Sequence, residues 1–217
     1  SMVKRRRLLE LLVCPVCRHD TAGPSGLARR GADLECVRCR ANYPAIGATH
    51  SVLREPVDQP KTSTLLEQYV LAQFPDRAAS SRLAKRLAVN QRLMGWIDRA
   101  LTKQGAIKGR CIELGCGPGA YGAIWRRHAA FTVLVDIRQD FAESAAAFWA
   151  RDKRVAALHA DAHDPPFRAA CFALAAAMNV LDATTEPWLL LGQMDALLKP
   201  GGLALITLPY SANLGGP

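Results

Sequence analysis

From Arg110 onward the chain alternates short apolar runs with helical patterns, and this alternation limits its fold more than any other feature. RCIEL reads as a buried strand, followed by the glycine turn Gly115–Gly119 and a helix to about His128. FTVLVDI and QDFAESAAAFWA repeat the strand–helix unit, and VAALHAD and CFALAAAMN supply a third and a fourth strand. EPWLLLGQMDALL reads as a helix stopped by KPGG, and LALITLP as a fifth strand. Apolar strands with helices between them predict an α/β fold, a parallel sheet covered on both faces.

Two further segments precede this one. In REPVDQPKTS, Pro56 and Pro60 disfavour helix and mark a linker. Thr64 with Glu67 forms a capping box that opens one helix, and Pro75 ends it. Leu83, Leu87, Asn90, Met94, Ile97 and Leu101 keep the three- and four-residue steps of a second helix, for which Gly105 is a natural stop. Arg82, Lys85, Arg86, Arg92 and Arg99 lie on its opposite face. The expected organisation is a small domain over 1–55, a linker and helical segment over 56–104, and the α/β domain over 105–217.

The small domain carries Cys14-Pro-Val-Cys17 and Cys36-Val-Arg-Cys39, with eighteen residues between the pairs. Two residues between cysteines let one tight knuckle aim both sulfurs at a single ion, and two knuckles complete a tetrahedron. Cys14, Cys17, Cys36 and Cys39 are therefore the expected ligands of a structural zinc in a zinc ribbon. His19 and His50 are surplus to that set. The stretch LLELLVCPVC, the second knuckle and Tyr43-Pro44 resemble the small zinc-ribbon subunits that activate tRNA, rRNA and translation-factor methyltransferases. After Gly47 that family continues with Ile-Pro, whereas Thr49-His50 stands here.

Charge and cysteine usage narrow the setting. The net charge of +9 is uneven: residues 1–55 hold ten Lys/Arg against five Asp/Glu, 56–110 ten against four, and 111–217 eight against ten. A basic front half suits a polyanionic partner such as RNA, and equally a solvated face. The longest apolar run, CFALAAAM, is far short of a membrane span. The apolar stretch after Lys4–Arg7 is broken by Glu10 and too short for an export signal, so a cytoplasmic protein is expected. Its cysteines should then be thiols or metal ligands. Cys111, Cys116 and Cys171 read as small buried residues.

The glycine turn admits two cofactors. Gly115, Gly117 and Ala120 fit a dinucleotide fingerprint, with Asp136 where a ribose-binding acid belongs. The surroundings favour a different reading. Glu113-Leu-Gly115-x-Gly117-x-Gly119, Asp161-Ala162, Pro166-Phe167 and Leu198-Lys-Pro-Gly-Gly202 together resemble class I methyltransferases that use S-adenosylmethionine (SAM). That family has a Rossmann-like sheet. Physically, the glycines allow close backbone approach, the following helix start favours a carboxylate, and Asp136 can take both ribose hydroxyls. The resemblance further implies that Asp161 and Ala162 reach the adenine, Ile137 packs on it, and Asn179 lines the methionine end.

The acceptor is less legible. A ribbon ahead of a methyltransferase domain resembles the layout of bacterial rRNA guanine-N1 methyltransferases, although those carry a histidine in the second pair. The run from Asn179-Val-Leu-Asp182 through Pro187 to Pro209-Tyr210 resembles methyltransferases acting on histidine side chains or histidine-derived small molecules. In that reading Tyr210 faces the acceptor, a nitrogen of a small molecule or peptide. Class I domains continue past the fifth strand, whereas this sequence stops shortly after it. A SAM-binding, non-catalytic subunit that activates another enzyme, or a protein partner that completes the sheet, is thus a further expectation.

Overall fold

The computed structural model of the chain describes residues 2–57, 81–105 and 107–208, and for Ser81–Asn90 the backbone alone. Helix α1 (Met2–Leu9) leads into the ribbon, built from β1 (Leu27–Arg30), β2 (Asp33–Cys36), β3 (Asn42–Tyr43), β4 (Ala45–Ile46) and β5 (Thr49–His50). Strands β1, β2 and β3 form one antiparallel sheet, and β4–β5 a separate hairpin. The capping box at Thr64 and the linker's second proline lie outside the described residues. Helix α2 (Ser81–Gln104) ends as expected at Gly105, whose φ of +84° suits a glycine stop. Ile97 and Leu101 on α2 are buried, as the three- and four-residue steps predict.

The large sheet is made of β6 (Arg110–Leu114), β7 (Phe131–Asp136), β8 (Val155–His159), β9 (Phe172–Met178) and β10 (Leu198–Thr207). Its order is β10–β9–β6–β7–β8, and every neighbouring pair is parallel. Every residue of β7, β8 and β9 is buried, so these strands read as continuous apolar runs rather than alternating ones. Helices α3 (Gly122–His128), α4 (Gln139–Phe148) and α5 (Pro187–Leu197) provide the crossovers. The chain fills one side of the sheet and then reverses at β6 to fill the other. The crevice at the carboxyl ends of β6 and β9 is therefore the topological switch point, where sheets of this kind bind ligands.

Two differences from the sequence reading stand out. Lys199–Gly202 does not merely stop a helix. Strand β10 begins at Leu198, opposite Phe172, and slips register before Leu203 pairs with Leu174, so the KPGG stretch bulges out of the edge strand. Cys171 is only half-buried, whereas Cys111 and Cys116 are buried.

The covering of the sheet is the larger finding. Helices α2, α3 and α4 pack on one face with Cys111, Leu134, Val155 and Leu174. On the other face no helix joins β8 to β9, and the ribbon takes that place. Leu11, Leu12, Leu34 and Tyr43 share a single apolar cluster with Ile112, Val133, Leu158, Phe167 and, from α5, Leu190. Backbone pairing locks the junction: Val13 donates to the Pro166 carbonyl at 2.9 Å, and Arg168 to that of Leu11 at 3.0 Å. The ribbon and the sheet thus share one core.

Candidate functional site

The two knuckles bring four sulfurs together. Cys14 Sγ lies 3.6 Å from Cys39 Sγ, Cys17 Sγ lies 3.7 Å from Cys36 Sγ, and all four are within 4.8 Å of one another. Thiolates bound to zinc at about 2.3 Å stand about 3.8 Å apart along a tetrahedral edge, so the donor set fits that ion. The backbone N–H groups of Arg38 and Cys39 each donate to Cys36 Sγ at 3.4 Å. Burial raises the Cys36 thiol, but these bonds and one from Ser25 outweigh it and bring it to about 6. Four protein sulfurs leave no open position for water, which makes the site structural. His19 instead pairs with Asp164 at 2.8 Å and His50 with the Ala32 carbonyl at 2.9 Å, so neither joins the set.

The second site is built at the end of β6. Gly115 has φ +72°, and a Cβ there would lie 2.5 Å from Val180 Cγ2. At Gly119, φ +86°, a Cβ would press on Ala145 and Leu134 at 3.0 Å. Only glycine lets the turn close against the residues behind it. Gly117 N–H donates to Asp136 Oδ2 at 2.7 Å, and Arg138 N–H to Asp136 Oδ1 at 2.9 Å. The turn and the end of β7 are therefore one hydrogen-bonded unit, with lone pairs on Asp136 still unused. Burial lifts the Asp136 carboxyl to about 6, against the pull of those two N–H groups.

Glu113 is fully buried behind the turn. Its Oε2 accepts from the Trp125 indole at 2.7 Å, while Oε1, like the Tyr121 hydroxyl, is buried without a hydrogen-bond partner. Burial first, and the charge of Asp136 after it, push this carboxyl up to about 8, while the Trp125 bond works the other way. A buried acceptor left open in this way needs an explanation, and a cationic ligand in the crevice is one. Open acceptors on Glu113 and Asp136 beside a close-packed glycine turn fit SAM, which carries both positive charge and a ribose diol.

The remaining predicted residues stand around this unit. Ile137 is half-buried, and its carbonyl accepts from His159 at 2.9 Å. Asp161 Oδ1 accepts from the backbone N–H of His163 at 2.8 Å and from its Nδ1 at 3.1 Å, with Ala162 half-buried between them. Asn179 is exposed at φ +55°, beyond the end of β9, and is tied to the end of β10 through its N–H to the Thr207 carbonyl at 3.0 Å. Its neighbour Val180 is the residue that covers Gly115. Tyr210 and Pro209 lie outside the described residues, as do the side chains of Arg82, Lys85 and Arg86.

Sequence reasoning passed over His159, His163 and Thr184. His163 Nε2 sits 2.6 Å from Thr184 Oγ1, linking the loop after β8 to the loop after β9. A polar His159 inside the apolar run VAALHAD is the signal that could have flagged it. A cavity of about 340 Å³ lies elsewhere, between α1, the ribbon, α4 and β8, where alanines such as Ala146 and Ala157 leave the walls thin. None of the glycine-turn residues line it, so the chemistry of the turn, not cavity size, identifies the site.

Residues 112–206 match the family model described as a methyltransferase domain. No curated protein matches the chain. Among solved structures, the domain is similar to the YcgJ protein of Bacillus subtilis, with 16% identity and a TM-score of 0.50 over 56% of this chain and 52% of that one. A Methanococcus maripaludis protein described as a SAM-dependent methyltransferase aligns at 17% identity and TM-score 0.53, over 70% and 67% of the two chains. Magnesium protoporphyrin IX methyltransferase of Synechocystis, solved with bound SAM, aligns at 15% and TM-score 0.55, over 63% and 67%. The chain spans about half the length of the Bacillus protein. These likenesses establish a shared fold over the aligned residues. No helix among the described residues is long and apolar enough to cross a membrane.

Proposed function

We propose that the chain is a SAM-dependent methyltransferase whose acceptor is a nitrogen of a small molecule or a peptide side chain, imidazole-like in its chemistry. The observation that carries the cofactor half is the open buried oxygen of Glu113 beside an Asp136 already tied to the glycine turn. The acceptor half rests on the resemblance of Asn179-Val-Leu-Asp182, Pro187 and Pro209-Tyr210 to methyltransferases of histidine and its derivatives. In this reading residues 1–55 are a structural ribbon, 56–104 a linker and helix, and 105–217 the SAM-binding domain. A four-thiolate site fits a reducing, cytoplasmic setting.

When bound, SAM supplies a methyl group on a sulfonium, open to in-line displacement by a nucleophile. The chain's own part is binding and orientation. Asp136 accepts the two ribose hydroxyls, and Ile137, Asp161 and Ala162 frame the base. Glu113, Gly115, Gly117 and Gly119 shape the methionine end, with Asn179 and Val180 on the acceptor side. The apolar strand ends and Val180 exclude water from the reacting atoms. An imidazole nitrogen with a free lone pair attacks without prior loss of a proton, so no strong base is required.

The test is methyl-labelled SAM supplied with a fractionated extract of the source cell. Label in the small-molecule or peptide fraction, lost in Asp136→Ala, is the expected result. Label chiefly in RNA would overturn the acceptor. Tight SAM binding without transfer to any fraction would instead support the non-catalytic subunit.

A further inference from the structure

His159, the last residue of β8, is 3% exposed, and neither the metal centre nor the methyl-transfer reading uses it. Both of its ring nitrogens are engaged. Nε2 lies 2.9 Å from the Ile137 carbonyl oxygen, which can only accept, so Nε2 carries the proton. Nδ1 lies 2.8 Å from the Ser51 hydroxyl and, in the neutral ring, accepts from it. Burial holds the imidazole pKa below its ordinary value, which keeps the ring neutral.

Three segments distant in sequence meet on that ring. Ser51 closes the ribbon, held by its own N–H to the Pro44 carbonyl at 2.9 Å and by Val52 N–H to the His159 carbonyl at 2.9 Å. Ile137 is the centre of the Asp136–Arg138 turn. The carboxylate of that turn faces the glycine loop, and its Asp136 carbonyl accepts from Ala160 N–H at 3.1 Å. The Ile137 carbonyl and the Arg138 N–H belong to one rigid peptide plane, so holding the carbonyl also aims the N–H that donates to Asp136 Oδ1 at 2.9 Å. The ribbon thereby reaches the ribose side of the crevice through one imidazole.

We propose that His159 is a positioning residue for the cofactor: anchored to the ribbon by Ser51, it holds the Ile137 carbonyl and so aims the Asp136 carboxylate, coupling the ribbon to the SAM site. The inference rests on the SAM-binding reading above. Its energetic basis is preorganisation. With the ring removed, the Ile137 carbonyl must find water or another donor, the turn relaxes, and ribose binding has to restore its geometry.

The test is calorimetric binding of S-adenosylhomocysteine to the full chain, with each variant held well below its own melting temperature. Leu in place of His159 keeps the bulk and removes both hydrogen bonds, and His159→Leu should weaken binding about tenfold. His159→Gln can donate an amide N–H to the same carbonyl and should recover most of the loss. Ser51→Ala, which removes the ring's anchor to the ribbon but leaves the ring, should weaken binding about threefold. A dissociation constant for His159→Leu equal to wild type, with only the melting temperature lowered, would overturn the inference and make the ring a packing element. Equal losses in the Leu and Gln variants would overturn it too. Should His159→Leu not fold, the Gln and Ser51→Ala values decide alone, and wild-type affinity in Ser51→Ala overturns the ribbon coupling. Wild-type protein that binds no S-adenosylhomocysteine would overturn the SAM reading itself, a failure distinct from the others.

Discussion

The Trp125 indole donates to one oxygen of Glu113 at 2.7 Å, while the other oxygen of the same buried carboxylate has no partner. The pair sets a pH dependence whose sign follows from burial. The Glu113 carboxyl rises from 4.5 to about 8, and that of Asp136 from 3.8 to about 6. Across those intervals the native chain keeps protons that the unfolded chain releases, so ligand-free stability falls as pH rises. Denaturant midpoints should decline from about pH 4 to about pH 8, and Glu113→Gln should flatten the decline above about pH 6, where Asp136 no longer contributes. An unchanged slope in that variant would show that Glu113 is ionised throughout.

Removal of the metal should reach beyond the ribbon. The four sulfurs fit one zinc per chain, and the apolar residues behind them belong to the core of the large sheet. Elemental analysis should give close to one zinc per chain, and the paired change Cys36→Ser, Cys39→Ser should abolish it. Chelation should then lower the melting transition of the whole chain, read at the fluorescence of Trp125 on the opposite face of the sheet in a variant whose other three tryptophans are replaced by phenylalanine. A ribbon that melts while this signal holds would contradict the shared core.

Gly115→Ala combines an unfavourable φ with a clash on Val180. Strain of this kind costs about 1–3 kcal/mol, visible as a lower thermal midpoint together with weaker SAM binding. Adding Val180→Ala removes the clash and leaves the strain, so it should restore part of the stability. Full restoration would mean that φ carries no cost here.

At the junction of ribbon and sheet, Leu12 and Phe167 pair through an antiparallel bridge, and Phe167 meets Phe172 edge-on with ring centres 5.5 Å apart. Both Leu12 and Phe167 are essentially unexposed. Phe167→Ala should cost about 3–5 kcal/mol and Leu12→Ala about 2–5 kcal/mol in chemical unfolding, each in a single transition. Two separate transitions, one of them indifferent to Leu12→Ala, would show that ribbon and sheet unfold independently.

Local features of this chain were legible in its sequence. The spacing of Cys14, Cys17, Cys36 and Cys39 dictates two knuckles, and the glycines at 115, 117 and 119 dictate a tight turn between strand and helix. Each depends on residues within a few positions of one another. What the sequence did not reveal depends on partners far apart. Nothing near Leu12 signals that it lies under the β8–β9 connection, and nothing near Ser51 points to His159. The KPGG bulge was missed for a related reason. Proline and glycine do end helices, but whether the next residues leave the sheet or distort its edge depends on what β9 offers opposite them.

The ribbon that covers the sheet also bears on the order in which the chain can acquire its shape. Arg18 reaches a carbonyl 147 positions further along the chain, and Leu12 waits as long for Phe167. During synthesis the ribbon emerges with its apolar side bare, and the sheet residues that cover it, from Ile112 to Phe167, follow about a hundred residues or more later. Contacts of such separation slow folding and prolong the time in which an uncovered face can stick to other chains. Early zinc capture would shorten that exposure only in part, since it shapes the knuckles but cannot supply the missing sheet. A chain built this way favours low temperature, slow expression and chaperone assistance, with zinc present from the start.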